Sequence, residues 1–101
     1  MNVLFICNQN QNRSKTAEEI FAKQFRTKSA GLYTAQPVTQ SQLQWADIVV
    51  VMEDEQRTEI AKRYPKEYLT KKIVSFNIPD MYTYMQPELI TLLKTRLKSL
   101  L

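Results

Sequence analysis

The sequence predicts an α/β domain: a doubly wound, four-stranded parallel sheet with helices on both faces. Three observations carry that prediction. Short runs of β-branched and aromatic residues lack polar alternation, as strands buried on both faces do. Amphipathic helical stretches separate those runs, and alternating strand and helix is the order of a doubly wound sheet. The chain of 101 residues has room for one domain, 1–101, with no internal repeat and no linker.

The clearest strands are Val3-Leu-Phe-Ile6, Ile48-Val-Val-Val51 and Ile73-Val-Ser-Phe76, with a weaker candidate around Ser29 to Tyr33. After the first strand, Ala17, Ile20, Phe21 and Phe25 share one helical face. Ser14 is the expected N-cap of that helix, with Glu18 and Glu19 near its start. A short helix is expected over Thr39 to Trp45, and another from about Asp54 to Tyr64, stopped by Pro65. The last helix opens with Pro87 and Glu88 and carries an apolar stripe of Leu89, Ile90, Leu93, Leu97 and Leu100. In sheets of this kind ligands bind at the carboxyl ends of the strands, so chemistry is expected just after Ile6, Met52 and Phe76.

Composition narrows the chemistry. A net charge of +4 suits an anionic partner, but the basic residues are spread along the chain and do not outline a nucleic-acid surface. A single cysteine cannot form an internal disulfide and points to a reducing compartment, read here as the cytoplasm. No apolar run is long enough to cross a bilayer, so no membrane role is expected. The chain has no histidine, which removes imidazole acid–base chemistry and most catalytic zinc sites. No metal site and no cofactor are expected.

The first strand runs into Cys7-Asn8-Gln9-Asn10-Gln11-Asn12-Arg13-Ser14. If this loop wraps, its backbone N–H groups and those of the following helix converge on one point and make an anion cradle. Arg13 adds a planar pair of donors suited to two phosphate oxygens. A thiol in such a positive field is favoured as thiolate, and a thiolate facing a bound phosphate is an activated nucleophile. Phosphate loops usually use glycine for left-handed backbone, yet the chain's one glycine is Gly31. Asparagine is the best substitute, so Asn8, Asn10 and Asn12 are the expected sources of the turn.

Thiolate attack on a phosphate monoester needs a proton for the departing oxygen. Without histidine the expected donor is a carboxylic acid. Asp80 follows the last strand, is stiffened by Pro79, and has Tyr82 and Tyr84 beside it as candidate pocket walls for an aromatic leaving group. Glu53, Asp54 and Glu55 also follow a strand, but Asp54 or Glu55 is expected to cap the next helix. Three acids beside a phosphate site would repel its substrate.

The stretch "VLFICNQNQNRSKTAEEIF" resembles the opening of the low-molecular-weight protein tyrosine phosphatases, whose signature is C-x5-R-[ST] directly after the first strand. The similarity continues through Ser29-Ala-Gly31, through "WADIVVVMED" from Trp45 to Asp54, and to an Asp-x-Tyr segment near the C-terminus. The resemblance implies that Asn10 organises the loop, that Ser14 hydrogen-bonds the thiolate, and that Asp80 is the general acid. Gln9 stands where that family commonly has Gly, Asn12 where a second Cys is common, and Lys15 where Pro is usual. The pattern is closest to a compact subgroup with a glycine-free loop and an "IPDxYxYMQPEL" tail.

The expected function is therefore phosphomonoester hydrolysis through phosphocysteine. Cys7, Arg13 and Asp80 are its catalytic groups, and Asn8, Gln9, Asn10, Gln11, Asn12, Ser14, Tyr82 and Tyr84 its substrate-binding residues. A phosphotyrosine protein or small aryl phosphate is the expected substrate, with inorganic phosphate as product. Two alternatives stand beside this reading: a phosphate- or phosphoprotein-binding module without turnover, and an arsenate reductase. The second would need thiols from outside, because Cys7 has no partner cysteine.

Overall fold

The computed structural model describes residues 1–100. The elements run β1 (Asn2–Cys7), α1 (Arg13–Ile20), β2 (Arg26–Gly31), α2 (Gln40–Trp45), β3 (Ile48–Val51), α3 (Asp54–Arg63), α4 (Pro65–Thr70), β4 (Lys72–Ser75) and α5 (Pro87–Leu100). The four strands form one parallel sheet in the order β2-β1-β3-β4. This is the doubly wound sheet the sequence predicts.

Strand geometry sends alternate side chains to opposite faces, and β1 shows why its run had to be continuously apolar. Val3, Phe5 and Cys7 face one core with Ala17 and Phe21 of the α1 region and Leu89, Leu93 and Leu97 of α5. Leu4 and Ile6 face the other, with Leu43 of α2 and Ile60 of α3. Phe5 and Phe21 stack with ring centroids 5.8 Å apart. Both faces are therefore covered, and neither could tolerate a polar residue mid-strand.

Most strand ends lie within one or two residues of the sequence reading, and three boundaries differ for a physical reason. The weak strand begins at Arg26 rather than Ser29, because pairing with all of β1 extends the ladder past its apolar part. Pro65 does not simply stop a helix: α3 ends at Arg63 and Pro65 opens α4, where its missing N–H costs nothing. The expected helix through Phe25 ends at Ile20. Phe25 still packs against the core cluster, from the turn that follows.

Because β1 lies between β2 and β3, the chain leaves β1 toward one side and returns past it to form β3. That reversal puts a switch point at the carboxyl ends of β1 and β3, where the loops part toward opposite faces. Cys7 and Met52 sit there. Among the described residues, no helix is long and apolar enough to cross a membrane.

Candidate active site

Cys7 is the last residue of β1 and is buried. The chain turns through residues 8–12 and enters α1 at Arg13. Asn10 makes the turn possible: it has φ 53°, in the left-handed region that asparagine tolerates better than other side chains. Asn8 and Asn12 do not share this role. Asn12 has φ −118° and occupies the N-cap position of α1.

The chain's one glycine supports the loop from outside it. Gly31 pairs with Cys7 across β1 and β2. A Cβ on Gly31 would lie 3.0 Å from the carbonyl oxygen of Asn8, 3.2 Å from the amide nitrogen of Asn10, and 2.5 Å from Cγ2 of Thr34. Glycine is thus needed at the strand against which the loop folds, while Asn10 supplies the curvature.

Around the sulfur, the backbone N–H of Asn10 donates to Cys7 Sγ at 3.2 Å. Ser14 Oγ lies 2.9 Å from Sγ and 2.7 Å from Asn10 Oδ1. Ser14 has one hydroxyl hydrogen, which serves one of these neighbours at a time. In the structure it goes to Asn10 Oδ1, which leaves the Ser14 oxygen to accept from the Cys7 S–H.

Ser14 is not the expected N-cap. It lies inside the first turn of α1, fully buried, and its hydroxyl serves the sulfur and Asn10. No side chain caps α1. The end of the helix that points at the loop therefore keeps the positive pole and the free N–H groups that attract an anion.

Arg13 is buried, with only 2% of its surface exposed. One hydrogen of Nη1 goes to the carbonyl oxygen of Ile78 at 2.7 Å. Glu53 Oε2 forms an ion pair with the same nitrogen at 3.1 Å. With Nη1 engaged by these two groups, the Nε/Nη2 edge is the one with the two-pronged spacing that matches two phosphate oxygens. Asp80 Oδ1 stands 3.9 Å from Nε. Cys7, Gln9, Gln11, Asn12, Arg13 and Asp80 line one small pocket of about 50 Å³.

Six of the eleven sequence-selected residues thus share that pocket, and Asn10 and Ser14 sit directly behind it. The remaining three lie elsewhere. Asn8 lines an adjoining polar cleft with Tyr33, Glu53, Glu55 and Gln56. Tyr82 packs against the core cluster and borders a groove along α5 with Pro87, Glu88 and Leu92. Tyr84 is half exposed and lines neither recess. The loop after Ile78 carries Tyr82 toward α5, and neither tyrosine lines the Cys7 pocket.

Two residues at the start of α3, just beyond β3, join the site without standing out in the sequence. Glu53, and neither Asp54 nor Glu55, is the N-cap of α3, in a reciprocal capping box with Gln56. Its carboxylate also pairs with Arg13, so this acid holds the cradle's cation where repulsion of the substrate was expected. Gln56 is buried: its Oε1 accepts from the backbone N–H groups of Met52 and Glu53, and its Nε2 donates to Asn8 Oδ1 at 3.0 Å. The readable signal was the E-x-x-Q spacing directly after a strand that ends at the switch point. Among the described residues, no group of three or more Cys, Asp or Glu side chains is placed to hold a metal ion.

No family model matches the sequence, and no curated protein matches it. Solved structures do match its fold. The tyrosine phosphatase Wzb from Escherichia coli K30, in complex with phosphate, superposes with a TM-score of 0.80 at 20% identity, covering 98% of this chain and 94% of that one. A low molecular weight protein tyrosine phosphatase from T. tengcongensis gives 0.75 at 21% identity, with 100% and 99% covered. The YwlE arginine phosphatase from Geobacillus stearothermophilus gives 0.73 at 20%, with 97% and 90% covered. The near-complete coverage on both sides leaves no large insertion or missing layer to explain. The chain has the fold of the low-molecular-weight protein tyrosine phosphatases.

Proposed function

We propose that this protein hydrolyses phosphomonoesters of aryl oxygens, as phosphotyrosine in a protein or as a small aryl phosphate, through a phosphocysteine intermediate on Cys7. The observation that carries the proposal is the convergence on one pocket of the lone thiol, the uncapped end of α1, Arg13 and Asp80. The fold neighbours are in keeping with it, since they include tyrosine phosphatases and one bound to phosphate.

The substrate phosphate occupies the cradle, its oxygens held by the loop amides and the Nε/Nη2 edge of Arg13. The Cys7 thiolate attacks phosphorus in line. The S–P bond forms as the bond from phosphorus to the leaving oxygen breaks. Asp80, protonated at this stage, gives its proton to that oxygen. Water then attacks phosphorus and yields its proton to the Asp80 carboxylate. The P–S bond breaks, orthophosphate leaves and the thiolate returns. The Ser14–Asn10 pair stabilises the thiolate at both ends of the cycle.

Cys7 is a free thiol and must remain reduced to attack, which fits a cytoplasmic setting. The test is phosphate release from phosphotyrosine and from phenyl phosphate by the wild type and by Cys7→Ser. Phosphoarginine, the substrate class named for the YwlE neighbours, is the comparison substrate. The proposal expects wild-type turnover of the aryl esters and none above background in the variant. Equal rates, or no wild-type turnover with any of these substrates, overturn it.

A further inference from the structure

Asp80 is poorly held by its own surroundings. Its side chain is 61% exposed, and its ion-pair partner, Arg13, stands 3.9 Å away. Proton transfer in catalysis requires a heavy-atom separation of about 2.6–3.2 Å. Something else must place the acid, and it can only be the segment that carries it.

That segment, from Phe76 to Gln86, contains no helix or strand. At its start, Phe76 and Ile78 donate to the carbonyls of Val51 and Met52, and the carbonyl of Ile78 accepts from Arg13. Beyond Asp80 its hydrogen bonds are local, from Met81 to Pro79 and between Thr83 and Gln86, with one exception. The exception is the backbone N–H of Met85, which donates to Thr16 Oγ1 at 2.9 Å.

Two features show that this bond is constrained. Met85 has φ 60°, a left-handed conformation that a methionine keeps only where the surroundings over-determine it. Thr16 is fully buried, in the first turns of α1, and its hydroxyl reaches across to the segment rather than back to its own helix. Thr16 stands three residues after Arg13, the spacing that puts two side chains on one helical face. The acid segment is therefore strapped to α1 at both ends, by Arg13 at Ile78 and by Thr16 at Met85, with Asp80 in the span between.

We infer that Thr16 is a positioning residue for the general acid: through Met85 it fixes the span that holds Asp80 over the pocket, so that the helix bearing the phosphate clamp also sets the acid's place. This inference rests on the proposed hydrolysis and adds a residue to it. Thr16 touches neither substrate nor reacting atoms, so its removal should impair proton delivery alone.

Leaving-group dependence reads that distinction. Phenyl phosphate needs a proton on its departing oxygen, whereas 2,4-dinitrophenyl phosphate leaves as a stable anion. Thr16→Val keeps the shape and removes the acceptor for Met85. The inference expects kcat/KM for phenyl phosphate to fall by about tenfold or more, since general acids contribute ~10²–10⁴-fold and small misplacements are costly. It expects kcat/KM for the dinitrophenyl ester to stay within about twofold, which also shows that the variant is folded, and Thr16→Ser to restore the phenyl rate. Equal loss with both esters, no loss with either, or failure of Thr16→Ser to rescue overturns the inference while the wild-type rates still support the hydrolysis. A wild type inactive on both esters overturns both.

Discussion

The guanidinium of Arg13 donates through Nη1 to the carbonyl oxygen of Ile78 at 2.7 Å, tying the cation that follows the Cys7 loop to the segment that carries Asp80. The proposed clamp and acid, 67 positions apart in sequence, are thereby linked by one side chain that is almost wholly buried.

Glu53 gives a test whose sign is informative. An acid that merely capped α3 beside an anion site would repel phosphate, and its neutralisation would tighten binding. An acid that orients Arg13 predicts the reverse. In Glu53→Gln the inhibition constant for inorganic phosphate should rise by roughly three- to tenfold, because the ion pair that orients the guanidinium is lost. Competitive inhibition measurements decide it, and tighter phosphate binding in the variant rules out the orienting role.

At Asn10 backbone and side chain make separable contributions. Asn10→Gly keeps the left-handed turn and loses the amide that meets Ser14; Asn10→Ala loses the amide and must also adopt φ 53°. Both variants should lose turnover. The alanine variant should in addition be less stable than the glycine one by about 1 kcal/mol, measured by urea denaturation. Equal stability would mean that the turn relaxes to an ordinary conformation.

Gly31→Ala tests the close packing of β2 on the loop. The new methyl would press on the carbonyl of Asn8 and the amide of Asn10. We expect kcat/KM for aryl phosphates to fall by about tenfold through displacement of the loop. Adding Thr34→Ser removes Cγ2, the nearest contact at 2.5 Å, and should recover thermal stability better than activity, since the two backbone contacts remain.

Away from the site, Glu67 makes part of the stability depend on pH. The side-chain amide of Gln40 holds its carboxyl below the usual carboxylate range, aided by Gln44 and opposed by burial. A carboxyl depressed in the folded state contributes stability that is present above its unfolded value and lost as pH falls through its folded one. Thermal melts from neutral to acid pH should therefore show a smaller drop in Tm for Glu67→Gln than for the wild type. Parallel drops would mean that Glu67 carries none of the acid sensitivity.

The fold was legible because its strands had to be apolar on both faces: Leu4 and Ile6 need one core, and Val3 and Phe5 the other. Cys7, Arg13 and the loop between them could be read as one candidate site because they are consecutive, and Asp80 because it follows a strand at the same sheet edge; the fold brings all three to one pocket. Glu53, Gln56 and Thr16 were harder to read, since each acts through a contact made by folding, over 40, 48 and 69 positions. Tyr82 and Tyr84 were assigned by proximity to Asp80 in sequence. In an irregular segment, neighbours in sequence do not share a direction, and Tyr82 turns toward α5. The capping of α1 was misassigned for a similar reason: the buried hydroxyl of Ser14 is committed to Cys7 and Asn10.

The central claim is that phosphate passes through a covalent bond to Cys7. Asp80→Ala should still be attacked on 2,4-dinitrophenyl phosphate, whose leaving group needs no proton, but should hydrolyse the resulting intermediate slowly. Mass spectrometry of that variant, quenched with denaturant at neutral to mildly alkaline pH during turnover because an S–P bond is acid-labile, should find one phosphoryl group on the peptide containing Cys7, and none when Cys7 is also replaced by Ser. Dinitrophenol release by Asp80→Ala with no phosphorylated peptide, or with the phosphoryl group on another residue, would contradict the account.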